Sequence, residues 1–392
     1  MTEVFVYDAV RTPIGKYGGS LAETRPDDLA GGVLRSLLAR SPGLDPSTVE
    51  DVILGNANGA GEDNRNVARM AVLLAGLPTS IPGSTVNRLC GSGLDAVMQA
   101  SRLIQTDDAS IVVAGGVESM TRSPWVLPKP ARGFPRGDET LHSTTLGWRM
   151  VNPRMPREWT ISLGSSAEIL AERYAIGRER QDEYAFESHR KAAAAWERGD
   201  FDAEVVTVEG AELAVDESVR GDTSLEALSR LRPVFKDGGT VTAGNSSPLN
   251  DGASAVLLAS GAAGQSIGQA PLARIAGRAS AGVDPDVFGI GPVEAANVAL
   301  KRAGIGWGDL SLVEINEAFA VQTLSCLQLW PDLDPDIVNV SGGAIAIGHA
   351  LGSSGSRILT SLVHGLRRRG GKWGLATICI GVGQGLAVVV EA

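Results

Sequence analysis

Short apolar runs alternate with helical patterns of apolar positions over the first 120 residues of the chain. The pattern predicts strands at residues 4–10, 49–57, 84–89 and 110–117, with helices at 27–40, 64–75 and 91–105. Such alternation is typical of an α/β unit whose sheet is buried by helices. The first part of the chain is therefore expected to form a layered α/β structure.

The alternation breaks between residues 121 and 239, where proline, arginine and tryptophan become frequent. Prolines interrupt regular elements here at Pro124, Pro128, Pro130, Pro135, Pro153 and Pro156. One strongly helical stretch, 178–198, follows them. We interpret this segment as an inserted loop or lid domain.

The first pattern returns after residue 271. Strands are predicted at 272–279, 310–315, 337–340, 374–380 and 385–390, and helices at 292–303, from Glu317 onward and at 352–366. The second part repeats the first in order and spacing, which indicates a duplicated βαβαβαββ unit. The predicted domains are an N-terminal half, 1–120, completed by about 240–270, the insert 121–239, and a C-terminal half, 271–392.

Composition and charge narrow the classes of function. With three cysteines in 392 residues, neither a disulfide scaffold nor a four-thiolate zinc site is possible. The net charge is −10 and no long basic run exists, which argues against general nucleic-acid binding. No stretch of about 18 apolar residues is long enough for a membrane span, and the first residues lack a leader pattern. We expect a cytoplasmic protein that is not bound to a membrane.

The three cysteines occupy different settings. Cys90 lies between a predicted strand and a glycine-flanked helix, so we expect a nucleophile whose pKa is lowered by the helix N-terminus. The following amides are placed to hold an oxyanion. The alternative is a small buried apolar residue. Cys379 ends a strand that leads into glycines, where a core role and a site role are equally open. Cys326 lies on an apolar helix and is expected in the core.

One of the four histidines stands in a glycine-bracketed turn into a helix. His349 holds the place in the second half that Cys90 holds in the first, so pseudo-two-fold symmetry would bring the two turns together. A Cys–His pair within hydrogen-bond reach makes an activated nucleophile. We expect His142 and His364 in loops or at the surface, and His189 on the solvated face of the charged helix.

Asn316 follows a predicted strand and has two interpretations. Its amide could donate to an oxyanion, directly or through a water, or its side chain could cap a helix. Motifs of other enzyme classes are missing, since the chain has no G-x-x-x-x-G-K-[ST], H-E-x-x-H or G-x-S-x-G. The glycines of 381–385 lie between two strands and do not form a dinucleotide fingerprint. No metal is expected, because His and Cys residues do not cluster.

Several of these motifs together resemble the thiolase family. They are residues 8–15, 87–93, 115–120, 241–247, 316–319, 342–355 and 379–385, and the likeness runs from about residue 4 to 390. The resemblance implies a five-layered αβαβα fold with a loop domain inserted in the first half. It also implies coenzyme A thioester chemistry without a resident cofactor, coenzyme A and acyl-CoA being substrates, and a homotetramer built as a dimer of dimers.

The resemblance assigns catalytic roles. Cys90 would carry the acyl group, and His349 would activate it. His349 would also bind the thioester oxyanion together with a water held by Asn316. Cys379 would move the proton at the α-carbon, and the backbone amides of Cys90 and Gly381 would hold the oxyanion of the acyl-enzyme step. Transfer in two steps through Cys90 predicts ping-pong kinetics.

The resemblance also implies a coenzyme A site. Arg220 would lie near the nucleotide and Ser247 near the pantetheine chain. The alternative for Arg220 is an ordinary surface arginine, although a cation for this polyanion is favoured on an acidic protein. The tunnel and acyl pocket would be formed by Leu163, Phe235, Ala243, Phe288, Ala318 and Phe319.

Departures from the family pattern bear on the substrate. Acetoacetyl-type thiolases carry His-Met-Gly where this chain has 162–164 as Ser-Leu-Gly, and Phe288 stands where such enzymes often have Met. The loop 144–153 resembles that of β-ketoadipyl-CoA thiolases, and Arg149 or Arg154 could meet a substrate carboxylate there.

Three functions are weighed. The first is cleavage of 3-ketoacyl-CoA to acetyl-CoA and a shortened acyl-CoA, or the reverse Claisen condensation. The second is an acetyl-CoA acetyltransferase acting on acetoacetyl-CoA. A non-catalytic scaffold that binds coenzyme A is the third, and the intact set of Cys90, Asn316, His349 and Cys379 argues against it.

Overall fold

A computed structural model of the chain describes residues 2–210 and 213–392. Its strands are β1 (Val4–Arg11), β2 (Gly15–Lys16), β3 (Asp51–Gly55), β4 (Gly83–Val86), β5 (Ile111–Ser119), β6 (Trp125–Val126), β7 (His142–Ser143), β8 (Asn250–Ser260), β9 (Ala273–Gly282), β10 (Leu312–Ile315), β11 (Trp373–Ile380) and β12 (Gln384–Glu391).

The α-helices are α1 (Pro26–Ala39), α2 (Val67–Leu74), α3 (Ser92–Gln105), α4 (Leu163–Arg173), α5 (Arg178–Glu197), α6 (Leu225–Ser229), α7 (Gly261–Gly264), α8 (Gly291–Ala303), α9 (Ala320–Gln328), α10 (Ala344–Ile347) and α11 (Leu351–Arg369). Short 3-10 helices lie at Pro46–Thr48, Arg157–Thr160, Gln265–Ile267, Pro285–Ile290, Trp307–Asp309 and Pro335–Ile337. None of the described helices combines the length and apolarity needed to cross a bilayer.

The main sheet shows the internal duplication. Its strand order is β10-β11-β12-β9-β1-β8-β5-β3-β4, with β2 paired to β8. In the first half β3 pairs parallel with β4 and β5, and β8 runs antiparallel to both β5 and β1. In the second half β10 pairs parallel with β11, and β12 runs antiparallel to both β11 and β9. The two halves join where Phe5 and Val6 pair with Arg274 and Ala273.

The helices form layers around this sheet. Helices α3 and α11 contact each other and pack against strands of both halves, where their apolar faces share one buried cluster with alternate residues of β5, β11 and β12. Helices α1 and α2 cover the opposite face of the first half. Helix α8 and residue Cys326 of α9 cover that of the second half. These layers have the order αβαβα, which confirms the expected fold.

The predicted insert contributes no strand to the main sheet over its described residues. It holds the hairpin of β6 and β7, the helices α4, α5 and α6, and long connecting loops. Helix α4 packs on Pro285–Ile290 and α9, and α5 packs on α9 and α10. Helices α4 and α5 of the insert therefore lie over the second half, whereas Val208 and Leu213 join the buried cluster of the first half. The boundaries of the insert as a domain stay a prediction.

Two predicted elements differ from the structure. The strand expected at 337–340 is reduced to one parallel bridge between Val338 and Val313, because Asp334 and Pro335 start a 3-10 turn just before it. This bridge occupies the place of β4 in the duplicated order. The helix expected from Glu317 begins at Ala320, because Phe319 is extended (φ −146°) and the Ala320 N–H donates to the Asn245 carbonyl (2.9 Å).

Candidate active site

Cys90 lies in a tight turn between β4 and α3. The turn contains Leu89 at φ 48°, a left-handed conformation that non-glycine residues seldom adopt. The Leu89 N–H donates to Asn87 Oδ1 (2.9 Å), and Ser92 Oγ donates to the Leu89 carbonyl (2.6 Å) and accepts the Arg88 N–H (2.8 Å). Local hydrogen bonds on both sides therefore hold the backbone that carries the thiol.

The charge state of the thiol differs from the prediction. Burial raises the pKa of Cys90 to about 11, and this outweighs the lowering by the backbone N–H groups of Gly381 and of Cys90 itself. The expectation of a lowered pKa at a helix N-terminus is wrong, because only 8% of the residue is exposed and the thiolate loses its hydration. At neutral pH Cys90 is a thiol and needs a base to become a nucleophile.

His349 has the form of such a base. Its Nδ1 lies 2.7 Å from Ser354 Oγ, and that hydroxyl donates its own hydrogen to the Ala350 carbonyl (3.1 Å). The Nδ1 atom must then carry the hydrogen, which leaves a lone pair on Nε2. Nε2 is buried without a partner among the described residues. Burial and the nearby Arg357 lower the pKa of His349 to about 3, so the ring is neutral.

The helices behind Cys90 and His349 meet at their N-terminal turns. A Cβ on Gly93 would lie 2.7 Å from the Gly352 carbonyl oxygen, and one on Gly355 would lie 2.4 Å from the Leu94 nitrogen. Only glycine allows α3 and α11 to approach this closely. The duplication therefore places the start of one helix against the start of the other.

Asn316 is held by its backbone and not by its side chain. Its N–H donates to the Thr377 carbonyl on β11 (3.0 Å), and its own carbonyl accepts from Ala318 (3.2 Å). Both polar side-chain atoms are buried without a partner among the described residues. The capping interpretation is wrong, because α9 begins later and its N-cap is Phe319. The amide is thus free for a ligand.

Cys379 lies on β11, two residues after the strand position that binds Asn316. It is buried in an apolar cluster, and burial followed by the neighbouring thiol of Cys90 raises its pKa well above the ordinary value. The chain then turns so that the Gly381 N–H faces the Cys90 thiol beside Leu89. The two thiols therefore share one site, and Cys379 holds its proton at neutral pH.

Most of the predicted pocket residues pack together. Phe235 and Phe319 make an edge-to-face contact with ring centroids 6.3 Å apart. Ser247 donates to the Ala318 carbonyl from its N–H (3.0 Å) and its hydroxyl (3.1 Å). Phe288 is fully buried in the cluster that contains Cys379. These residues form one continuous wall beside β11.

Leu163 connects this wall to the thiols. It packs against the cluster of Cys379, and its Cδ2 would lie 3.5 Å from a Cβ on Gly381. Arg220 and Ala243 are exposed, as is Phe235 of the wall. The structure thus brings Leu163 to the reacting groups, whereas the residues assigned to the outer part of coenzyme A stay at the surface.

Two histidines predicted at the surface are buried. His189 lies on the packed face of α5, and its Nδ1 accepts the Arg220 N–H (3.1 Å); burial and the Arg220 charge lower its pKa to about 4. His364 is buried on α11 with Nε2 2.8 Å from the Ala9 carbonyl oxygen. Both predictions are wrong because polar residues also occupy the buried faces of these helices. His142 is half-buried on β7.

Glu118 belongs to the site, although sequence reasoning gave it no role. Its buried carboxylate accepts the N–H groups of Ala57 and Gly352 at 2.8 Å each. Burial raises its pKa to about 8, and its charge adds to the raised pKa of Cys90. An acidic residue near the end of an otherwise apolar strand was the available signal. Across residues 2–210 and 213–392, no cluster of three His, Cys, Asp or Glu side chains could hold a metal ion.

Comparisons with known proteins agree with this geometry. The model of the thiolase N-terminal domain matches residues 4–262, and that of the thiolase C-terminal domain matches residues 269–392. Among curated relatives, a β-ketoadipyl-CoA thiolase of Pseudomonas aeruginosa is 50% identical, covering 99% of both chains. A 3-oxoadipyl-CoA/3-oxo-5,6-dehydrosuberyl-CoA thiolase of Escherichia coli is 49% identical over the whole of both chains. An acetyl-CoA acetyltransferase of Cupriavidus necator is 46% identical, also over the whole of both.

Solved structures give the same answer for the fold. The chain superposes on human mitochondrial 3-ketoacyl-CoA thiolase in complex with CoA with a TM-score of 0.94 and 42% identity, covering 100% of this chain and 98% of that one. For the acetyl-CoA acetyltransferase of Bacillus anthracis the TM-score is 0.93 and the identity 40%, with 100% and 99% covered. With both family domains matched along its length, the chain belongs to the thiolase family of acyltransferase enzymes.

Proposed function

We propose that this thiolase cleaves a 3-oxo dicarboxylic acyl-CoA, of which 3-oxoadipyl-CoA is the best candidate, with coenzyme A as the second substrate and no resident cofactor. The observation that carries this choice is the full-length identity of 50% and 49% with relatives named for that substrate. Two sequence features support it: the Ser-Leu-Gly at 162–164 departs from the acetoacetyl type, and the loop 144–153 resembles that of β-ketoadipyl-CoA thiolases.

The first half-reaction begins at Cys90. His349 Nε2 takes the thiol proton, and the sulfur attacks the 3-keto carbon of the substrate. The N–H groups of Cys90 and Gly381 hold the oxyanion. As the carbonyl re-forms, the bond between C2 and C3 breaks and its electron pair passes to C2 as the acetyl-CoA enolate. The enolate oxygen accepts hydrogen bonds from protonated His349 and from a water held by Asn316.

Cys379 completes this half-reaction. Its thiol donates a proton to C2, which releases acetyl-CoA and leaves the shortened acyl group on Cys90. The raised pKa of Cys379 supports this role, because the group must arrive protonated at neutral pH. The resulting thiolate takes the proton of coenzyme A, whose sulfur attacks the Cys90 thioester and frees the shortened acyl-CoA. His349 returns its proton to Cys90 as that sulfur leaves.

The coenzyme A site is proposed along the wall beside β11. Phe235, Ala318 and Phe319 would contact the pantetheine chain together with Ser247, and Ala243 would line the tunnel entrance. Arg220 would meet the phosphates at the surface, where its exposed guanidinium is accessible to a polyanion.

The acyl pocket would be closed by Leu163 and Phe288, and a cation is needed for the distal carboxylate. Arg149 is half-buried and Arg154 is exposed, and neither guanidinium has an ion pair among the described residues. The loop that carries them is tied to the start of α4, since Trp148 Nε1 donates to the Ile161 carbonyl (2.9 Å). We assign the carboxylate contact to Arg149, because partial burial strengthens a charged hydrogen bond.

A homotetramer, a dimer of dimers, is proposed as the working assembly, in the cytoplasm. Large apolar side chains are exposed in the hairpin of the insert, with Trp125 at 67%, Leu141 at 53% and Phe134 at 98%. Exposed apolar residues in one short segment mark a surface for association. We also propose that 121–239 is an inserted domain between the N-terminal half, 1–120 completed by about 240–270, and the C-terminal half, 271–392; the lack of any main-sheet strand among its described residues supports this.

A thiolysis panel tests the substrate. Acetoacetyl-CoA, 3-oxohexanoyl-CoA and 3-oxoadipyl-CoA are assayed by loss of the 3-oxothioester, the last two differing in the carboxylate alone. The proposal predicts the highest kcat/KM for 3-oxoadipyl-CoA, and a loss of that preference in Arg149→Met with Arg154→Met as the control. Equal or better turnover of 3-oxohexanoyl-CoA would overturn it.

The second candidate is acetyl-CoA acetyltransferase activity, which the Cupriavidus necator relative supports. It predicts that acetoacetyl-CoA is the preferred member of the same panel. A coenzyme A-binding scaffold predicts binding without turnover of any member.

A further inference from the structure

A hydrogen bond between side chains joins the two turns of the proposed active site. The Cys90 turn belongs to the first half of the chain, and the turn that presents the Gly381 N–H belongs to the second. Arg88 Nη1 donates to Gln384 Oε1 at 3.0 Å, across 296 residues of sequence. Arg88 lies two residues before the thiol, and Gln384 lies three residues after the donating amide.

The guanidinium of Arg88 is also fixed on its own side. Its Nε lies 3.3 Å from Asp95 Oδ2 on α3, and the same oxygen accepts from Gln99 Nε2 (2.9 Å). Asp95 is buried, and one third of the Arg88 side chain is exposed. Arg88 Nε makes no hydrogen bond to any described residue, so the guanidinium is held by an ion pair to Asp95 at this end and by the hydrogen bond to Gln384 at the other. Its planar fork leaves few alternative geometries between these two partners.

Each of the two turns contains a residue with a strained backbone close to the residue that makes this bond. Leu89 has φ 48°, and Val382, a β-branched residue, has φ 70°. A left-handed conformation is unfavourable for a residue with a side chain, and such strain persists only where the surroundings enforce it. On the far side of the second turn, the Gly383 carbonyl accepts the Val283 N–H (2.8 Å). On the side that faces Arg88, the turn is held by the Gln384 side chain.

We propose that Arg88 and Gln384 are positioning residues, whose hydrogen bond keeps the strained Val382 turn against the Leu89 turn so that the Gly381 N–H stays on the Cys90 sulfur. This rests on the proposed roles of Cys90 and Gly381. One bond thereby sets two properties: the acidity of the thiol, and the stabilisation of the oxyanion. Neither side chain contacts the reacting atoms in this assignment.

The experiment compares Arg88→Met, Gln384→Met, the double variant and Arg88→Lys. The control is Arg278→Met, because Arg278 Nη2 donates to Gln105 Oε1 and so makes another Arg–Gln bond between the halves, at the opposite end of α3. Each variant is assayed for kcat, for KM of coenzyme A and for the rate constant of Cys90 alkylation by iodoacetamide at pH 8, read by peptide mass spectrometry. Thermal unfolding shows which variants are folded.

We expect each Met variant to lower kcat about tenfold, a fraction of the roughly 10²–10³ that loss of one whole oxyanion donor costs. KM should stay within about twofold, and Cys90 alkylation should slow at least about threefold because less thiolate is present. The double variant should match the single ones, since they remove one bond. Arg88→Lys should recover part of both losses, because an ammonium can still reach Gln384.

The Gln384→Met variant tests the same bond from the other side if Arg88→Met does not fold. The proposal is overturned if kcat and alkylation stay at parental values in the folded variants, if the two losses add, or if Arg278→Met gives the same pattern. Failure of this proposal and failure of the proposed function can be told apart, because alkylation of Cys90 does not require turnover. If the protein cleaved no substrate of the panel, the proposed function would be disproved, and the alkylation rate would still test the Arg88–Gln384 bond.

Discussion

Replacing Asn316 by Leu should separate stability from activity. The amide is fully buried, and its Nδ2 and Oδ1 atoms make no hydrogen bond to any described residue. Leu has nearly the same shape and no polar atoms, so the change breaks no protein hydrogen bond. The backbone bonds of Asn316 to Thr377 and Ala318 remain.

The magnitude follows from the unpartnered atoms. A buried polar group left without a partner costs about 1–3 kcal/mol, so its removal should leave the free energy of unfolding within about 1 kcal/mol of the parent or raise it. If the amide orders the water that holds the enolate oxygen, kcat should fall by roughly 10²-fold, as for other oxyanion donors.

A matched control lies on the same side of β10. Asn339 is also buried, but its Oδ1 accepts the Ile315 N–H (2.9 Å), and its Nδ2 donates to the Ile315 carbonyl (2.9 Å) and to Glu317 (2.8 Å). Asn339→Leu breaks three bonds of about 1 kcal/mol each and leaves their partners buried and unpaired. It also places a Leu at φ 45°, a left-handed conformation that Leu adopts less readily than Asn. It should therefore unfold about 3 kcal/mol or more below the parent.

Urea denaturation followed by circular dichroism gives the free energies of unfolding, and thiolysis of 3-oxoadipyl-CoA gives kcat. Equal destabilisation of the two variants would refute the reading of Asn316 as a residue kept for its ligand. Parental kcat in Asn316→Leu would refute its role in holding the enolate.

Two further predictions concern pH. The alkylation rate of Cys90 should rise about tenfold per pH unit between pH 7 and 10, because burial raises its pKa to about 11; a plateau below pH 8 would instead indicate a thiolate–imidazolium pair. The buried, neutral His189 has its pKa lowered to about 4, so the unfolded chain takes up a proton as the pH falls below about 6.5 and the folded one does not. The free energy of unfolding should therefore fall between pH 6.5 and pH 4 by up to about 1.4 kcal/mol per pH unit. Urea denaturation at each pH should show a shallower fall for His189→Asn than for the parent. Identical falls would refute the assignment.

The layered fold was accessible from sequence because its strands are short apolar runs and its duplication repeats them in order. The alternation of apolar residues cannot reveal how far a strand is paired, and so the stretch at 337–340 was overestimated. Its single bridge through Val338 depends on the Pro335 turn and on Val313, which is distant in sequence.

The site was accessible only in part. Cys90, His349 and Cys379 stand at glycine turns that can be recognised locally, whereas the pKa of Cys90 depends on burial by both halves of the fold. The role of Glu118 was not predicted, because its partners, the N–H groups of Ala57 and Gly352, come from two other segments of the chain. Long-range hydrogen bonds and desolvation leave no trace in local sequence.

The central claim is that the acyl group passes through Cys90, and trapping the intermediate tests it most directly. The protein is incubated with labelled succinyl-CoA, the shortened acyl-CoA that 3-oxoadipyl-CoA would give, then denatured in acid, digested and examined by mass spectrometry. The mechanism predicts one succinyl group on the peptide that carries Cys90, none in Cys90→Ala, and acylation of Cys90 without thiolysis in Cys379→Ser. Succinyl retained by Cys90→Ala, or thiolysis at the parental rate in Cys379→Ser, would contradict it.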